Sequence, residues 1–147
     1  MTASSYRAGF PHWTTVTLRY CDQDTMGHVN NVSFAAYVEA GRVAFEHAHM
    51  FPLLAPRQDF YLVNLTINYR RQLRYPGEVE IGTGVVKLGR TSITLAHGIF
   101  RDGTLAADAQ SVIVLGDVDT EQPIPFPDAA RTALGASELA AVRATDG

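Results

Sequence analysis

The chain has one cysteine, one lysine and one tryptophan in 147 residues. A lone cysteine, Cys21, excludes an internal disulfide framework and suits a reducing compartment. No apolar run approaches the ~20 residues of a membrane helix; those such as Val112–Leu115 are far shorter. The N-terminal stretch MTASSYRAGFPHW has no apolar segment of the signal-peptide kind. Internal repeats and low-complexity tracts are missing. Charged residues are only 18% and apolar residues reach 46%, which excludes a disordered chain. A soluble, cytoplasmic protein is the expectation. A chain of this length makes one domain with a core that needs no covalent staples.

Net positive charge is missing too. The formal charge of −3 argues against a nucleic-acid binder. It is unevenly spread: −1 over residues 1–56, +4 over 57–101 and −6 over 102–147. Eleven of the twelve basic residues are arginine, whose planar fork suits phosphate and carboxylate.

Trp13–Tyr20 is rich in β-branched and aromatic residues, with Val16, Leu18 and Tyr20 on one face, and predicts a strand. Cys21–Val29, with Asp22, Asp24 and Gly27, predicts a loop. From Asn30 to Met50 the period changes. Phe34, Val38, Gly41, Phe45 and Ala48 recur at intervals of four, three, four and three, which predicts a helix roughly 30 Å long. Asn30 or Asn31 can cap it. Gly41 on the apolar stripe implies close packing there. Four strands follow: Asp59–Arg70, Glu78–Leu88, Thr91–Phe100 and Thr104–Leu115. Lys87–Arg90 and Asp102-Gly103 are hairpin turns. Beyond Val118, acids and three prolines predict one or two short helices and an exposed tail. The expectation is one α+β domain over residues 1–147, with its core at about 13–118 and an acidic appendage at 119–147. The sheet's outer face is apolar in places, which predicts a covering partner subunit.

The stretch from Arg19 to Asn31 carries the chemistry. A strand runs into a turn and the turn into a helix N-terminus, whose free N–H groups and dipole can hold a developing oxyanion. Asp24 lies just ahead of it. Two readings of Asp24 stand: an acceptor for turn hydrogen bonds, or a base or nucleophile beside an oxyanion site.

The run D-Q-D-T-M-G-H-V-N-N, followed by Phe34, Tyr37, Glu39 and Arg42, resembles the hotdog-fold acyl-CoA thioesterases of the 4-hydroxybenzoyl-CoA thioesterase-like family. The resemblance covers roughly Val16 to Val118. It implies a long central helix wrapped by a five-stranded antiparallel sheet. It places the catalytic carboxylate on Asp24, the oxyanion-binding N–H on the backbone of Asn31, and an accompanying tyrosine on Tyr20. Asn31 stands where some members have a histidine. Gly27, His28 and Asn30 belong to the same loop, with His28 as a structural hydrogen-bonder. The implied reaction is hydrolysis of an acyl or aryl thioester to free acid and CoA. No separate cofactor is implied, since CoA is part of the substrate. CoA phosphates call for basic groups, and Arg70, Arg71, Arg74, Lys87 and Arg90 supply them in the +4 segment. The acyl pocket is expected along the helix and Tyr61–Leu65. Family members join sheets edge to edge with the site at the seam, so a homodimer or homotetramer is expected.

Competing readings are weaker. Asp22-x-Asp24 with Gly27 lacks the further ligands of a calcium loop, since Ser33 stands where a glutamate is needed. His47 and His49 point to different helix faces and form no metal motif, and Glu46–His49 reads as a solvated helix end. No metal is expected. Cys21 reads as a small buried apolar residue. Glu39, able to pair with Arg42, is the backup catalytic carboxylate. His97 shares a face with Ile93, Leu95 and Ile99 and reads as a satisfied core histidine. The alternative function is a hotdog dehydratase or a non-catalytic acyl-thioester-binding protein.

Overall fold

The computed structural model describes residues 9–138. Its elements are β1 (His12–Thr17), α1 (Asn31–Phe45), β2 (Gln58–Tyr69), β3 (Glu78–Leu88), β4 (Ser92–Arg101), β5 (Thr104–Asp117) and α2 (Asp128–Gly135). The strands form one antiparallel sheet in the order β1-β3-β4-β5-β2. The sheet curls around α1, as the element order predicts.

Asn30 caps α1: its backbone is extended and its side chain accepts from the Val32 N–H at 3.0 Å. The helical path continues beyond Phe45 as a widened turn, Glu46–Met50, and a tight one, Phe51–Leu53. Gly41 sets how closely α1 approaches β3. A Cβ there would collide with the Ile81 side chain.

Phe34, Tyr37 and Val38 pack on Leu18, Val29, Leu73, Val79, Ile81 and Ile99 at the end where the loop enters α1. Phe45 and Met50 pack on Val85, Ile93, Leu95, Ile113 and Leu115 at the other end. That second cluster corrects the boundary drawn at residue 118. Phe126, Ala130 and Leu134 are buried in it, so the C-terminal stretch is core as far as Leu134. The mix of acids and prolines hid three apolar anchors. The expected exposed tail falls on residues beyond 138, which lie outside the described residues.

Part of the sheet's outer face is covered from within the chain. Phe10 lies across Gly82 and Gly98, which are opposite one another in the β3–β4 register. Its ring meets Trp13 and Phe100 edge-on, at 5.8 and 6.3 Å between centroids. The two glycines form the slot for it.

His97 is the core histidine expected. It is fully buried, with Nδ1 3.1 Å from Thr83 Oγ1 and Nε2 2.7 Å from Ser111 Oγ. Burial, and then the nearby Arg42 charge, lower its pKa to about 3. Glu46, read as part of a solvated helix end, is instead buried beside Arg42, at 3.6 Å. Burial raises its pKa to about 7 against the pull of Arg42. His47 and His49 are exposed, and His49 Nε2 lies 3.2 Å from His12 Nδ1.

Candidate active site

The strand expected over Trp13–Tyr20 ends at Thr17, because Asp22 turns the chain. Its carboxylate accepts from the Arg19 N–H at 2.9 Å, from the Arg19 guanidinium at 3.0 Å and from the Tyr37 hydroxyl at 2.7 Å. Burial pushes the Asp22 carboxyl up. The hydrogen bonds from Tyr37 and Arg19 outweigh it and hold the pKa below the usual range. Tyr37 is raised in turn by burial and by Asp22. Sequence reasoning passed over this anchor. The signal was available in the Arg19/Asp22 spacing and in a tyrosine on the inward face of the helix.

With Asp22 anchored, the loop closes on itself. The Asp24 N–H donates to the His28 carbonyl at 2.8 Å, and the Asn30 N–H to the Asp22 carbonyl at 2.8 Å. Gly27 takes a φ of 76°, a left-handed backbone that glycine adopts freely. Asp24 Oδ1 accepts the N–H groups of Met26 (2.8 Å) and His28 (3.1 Å). Oδ2 takes no hydrogen bond among the described residues, and the side chain is exposed. The carboxylate is thus both a turn acceptor and a presented group.

One hollow of about 250 Å³ is lined by Asp24, His28, Val29, Asn31, Phe34, Tyr69, Arg71 and Gln72. The Asn31 N–H stands first in α1, where helices leave donors unused, and donates to no acceptor among the described residues. The Asn31 carbonyl accepts from the Tyr69 hydroxyl at 3.3 Å. Phe34 meets the Tyr69 ring edge-on at 5.3 Å. A second hollow of about 500 Å³, on Asp24's other side, is lined by Tyr20, Cys21, Gln23, Asp24, Thr25 and Gly27. Cys21 is exposed there, not buried as expected, because the tight turn at Tyr20–Asp22 directs Asp22 inward instead. Tyr20 is 77% exposed and packs edge-on against Tyr75 at 5.7 Å.

The structure therefore gathers Tyr20, Asp24, Gly27, His28, Asn30, Asn31 and Arg71 around one loop. It does not bring the remaining sequence candidates there within one chain. Arg70 is engaged by Asp108 at 2.6 Å. Tyr61 lies against Gly116, eight residues from Tyr69 along β2, or roughly 25 Å. Lys87 and Arg90 sit at and just beyond the far end of β3, about 30 Å from Glu78, which pairs with Thr17 beside the loop. Glu39 is exposed two turns up α1, about 12 Å from its start, and lies 3.7 Å from Arg42. The exception is Arg74, expected among the basic groups for CoA phosphates, which is near the loop. It stands against His28, Nη2 to Nε2 at 2.8 Å.

Among the described residues, no three His, Cys, Asp or Glu side chains gather to hold a metal ion. No described helix is long and apolar enough to cross a membrane.

A five-stranded antiparallel sheet wrapped around one helix, with a carboxylate held beside that helix's N-terminus, defines a hotdog-fold acyl-transfer scaffold. The chain belongs to the thioesterase-like superfamily, whose family model matches residues 16–134. It is 28% identical over 116 residues to the acyl-CoA thioester hydrolase YbgC of Escherichia coli, covering 76% of this chain and 87% of the relative. Among solved structures, it resembles a thioesterase from Thermus thermophilus complexed with coenzyme A and zinc. That match has 31% identity and a TM-score of 0.73, over 88% of this chain and 96% of the other. A predicted thioesterase from Bacillus stearothermophilus matches at 30% identity and a TM-score of 0.78, over 86% and 95%.

Proposed function

We propose that the protein hydrolyses acyl-CoA thioesters, with Asp24 as the reacting carboxylate and the Asn31 N–H as the oxyanion donor. The observation that carries this reading is one hollow shared by two groups. They are a carboxylate with one oxygen held by backbone N–H groups and the other unbonded, and an unused helix N-terminal donor.

The thioester carbonyl lies with its oxygen toward the Asn31 N–H. Asp24 either attacks the carbonyl carbon itself or takes the proton from an attacking water. Negative charge collects on the carbonyl oxygen and is met by the N–H and the helix dipole. The carbon–sulfur bond then breaks, and the thiolate leaves without needing a strong acid. On the route where Asp24 attacks, water then hydrolyses the resulting acyl–Asp24 anhydride, releasing the acid and restoring the carboxylate. The Met26 and His28 N–H groups keep Asp24 in place and cost nothing to reorganise during the reaction. Arg71, at the rim, faces the phosphates of CoA. Lys87 and Arg90, remote within their own chain, serve the site of a second copy. The functional unit on this reading is a dimer or tetramer.

The test is steady-state hydrolysis of short, long and aryl acyl-CoAs by wild type and Asp24→Asn. The variant keeps one carboxamide oxygen for the loop N–H groups but loses the base. A kcat loss of about 10²–10⁴ is expected, the scale of positioned proton transfer. Undiminished turnover removes Asp24 from the reaction. Absence of turnover with every thioester points to the acyl-binding alternative.

A further inference from the structure

Arg74 occupies the connection between β2 and β3, a segment pinned on three sides. The Val29 N–H donates to the Leu73 carbonyl at 2.8 Å, and the Leu18 N–H to the Gly77 carbonyl at 2.8 Å. The Arg101 guanidinium donates to the Arg74 and Pro76 carbonyls. The backbone that carries Arg74 is therefore fixed against the Asp24 loop without help from its own side chain. That side chain has no carboxylate partner among the described residues, and its one hydrogen-bond contact is His28 Nε2 at 2.8 Å.

The chemistry of this contact has one direction. A guanidinium only donates, so Nε2 of His28 must be the acceptor. The imidazole is then neutral and carries its proton on Nδ1. That N–H makes no hydrogen bond among the described residues, and His28 lines the hollow shared by Asp24 and Asn31. The backbone N–H of the same residue already holds Asp24 Oδ1 at 3.1 Å.

We propose that Arg74 is a positioning residue that fixes His28 as the Nδ1–H tautomer and so presents a second neutral donor to the thioester in the Asp24 hollow. This rests on the hydrolase reading above. It adds a residue outside the loop motif, acting through His28 rather than on the substrate.

The test combines a spectrum with kinetics. Long-range 1H–15N correlation of the ¹⁵N-labelled protein at pH 8, with His28 assigned by its loss in His28→Gln, reads the tautomer directly. Wild type and Arg74→Lys, which keeps a donor, are expected to show Nδ1–H. Arg74→Ala is expected to show Nε2–H, with kcat lowered about ten-fold, the scale of one lost hydrogen bond, and KM changed less than two-fold. A wild-type Nε2–H signal overturns the proposal. So does an Arg74→Ala variant whose tautomer or kcat is unmoved. No thioester turnover by wild type with the tautomer shift intact would remove the hydrolase reading while leaving the Arg74–His28 tautomer assignment standing. Loss of activity in Asp24→Asn but not in Arg74→Ala would remove Arg74 alone.

Discussion

Asp22 and Asp24 stand two residues apart in one loop and are separated by their surroundings. Asp22 is 2% exposed and saturated by Tyr37 and Arg19, so it organises the turn. Asp24 is exposed with one oxygen unbonded, so it can react. Environment makes the same distinction between two other titrating groups, and it can be measured. Glu46 ionises near 4.5 in the unfolded chain but only near 7 when folded. As pH rises between those values the unfolded state loses its proton first, and stability falls. Glu46→Gln removes that loss. The variant is expected to exceed wild type at pH 8 by on the order of 1–2 kcal/mol, with the gap fading by pH 5, as read by urea unfolding. A gap that does not narrow on acidification rejects the assignment. His97 works the other way. Its folded pKa of about 3 lies below the ordinary 6.5, so the unfolded chain is protonated first as pH falls. Stability present above pH 6.5 is lost progressively toward pH 3, and melting curves below pH 4.5 should collapse even in Glu46→Gln.

At the scale of elements, Gly41 decides how α1 sits on the sheet. A Cβ there would lie 3.0 Å from Ile81 Cβ and collide with its Cγ2, both on a buried, close-packed strand. Gly41→Ala gains up to about 1 kcal/mol of helix propensity. Overpacking costs about 1–3 kcal/mol. A net loss of about 1–2 kcal/mol is expected in urea unfolding, and a stabilised variant would show that the helix can lift away freely. This contact was legible in the sequence, because a glycine on an apolar stripe has few other reasons to be there. The helix, the four later strands and the Asp24 loop were legible for the same reason: periodicity and turn residues are local signals. What escaped was set by distant partners. Asp22 became a buried anchor only because Tyr37 arrives from the helix. Phe10 became a cover for the outer face only because Gly82 and Gly98 face each other in register. Phe126 and Leu134 became core only because α2 folds back beside Met50. Arg74 met His28 across a chain separation of 46 residues, which no spacing rule reaches.

At the scale of the whole molecule, the two sheet edges are unequal. β1, at one end, has six residues, whereas β2, at the other, has twelve. One side of β2 pairs with β5, and its other side is unpaired among the described residues. A long open edge is a template for another strand, and proteins normally shorten, charge or cover one. Here it carries apolar side chains instead: Tyr61 is 40% exposed, Leu62 45%, Val63 60% and Tyr69 52%. Tyr69 also lines the Asp24 hollow, so whatever covers this edge would stand close to that hollow. A second copy pairing β2 to β2 would bury these side chains and carry its own Lys87 and Arg90 into the assembly. Wild type is therefore expected to run at twice the chain mass or more in light scattering. Val63→Lys places a charge on the seam and should shift the mass toward the monomer. Its far-ultraviolet circular dichroism should stay unchanged, because Val63 is exposed in the single chain. Thioester hydrolysis should fall in step with the dimer fraction as the variant is diluted. A wild-type monomer with full activity would place the whole site within one chain and leave the far basic residues with no part in it.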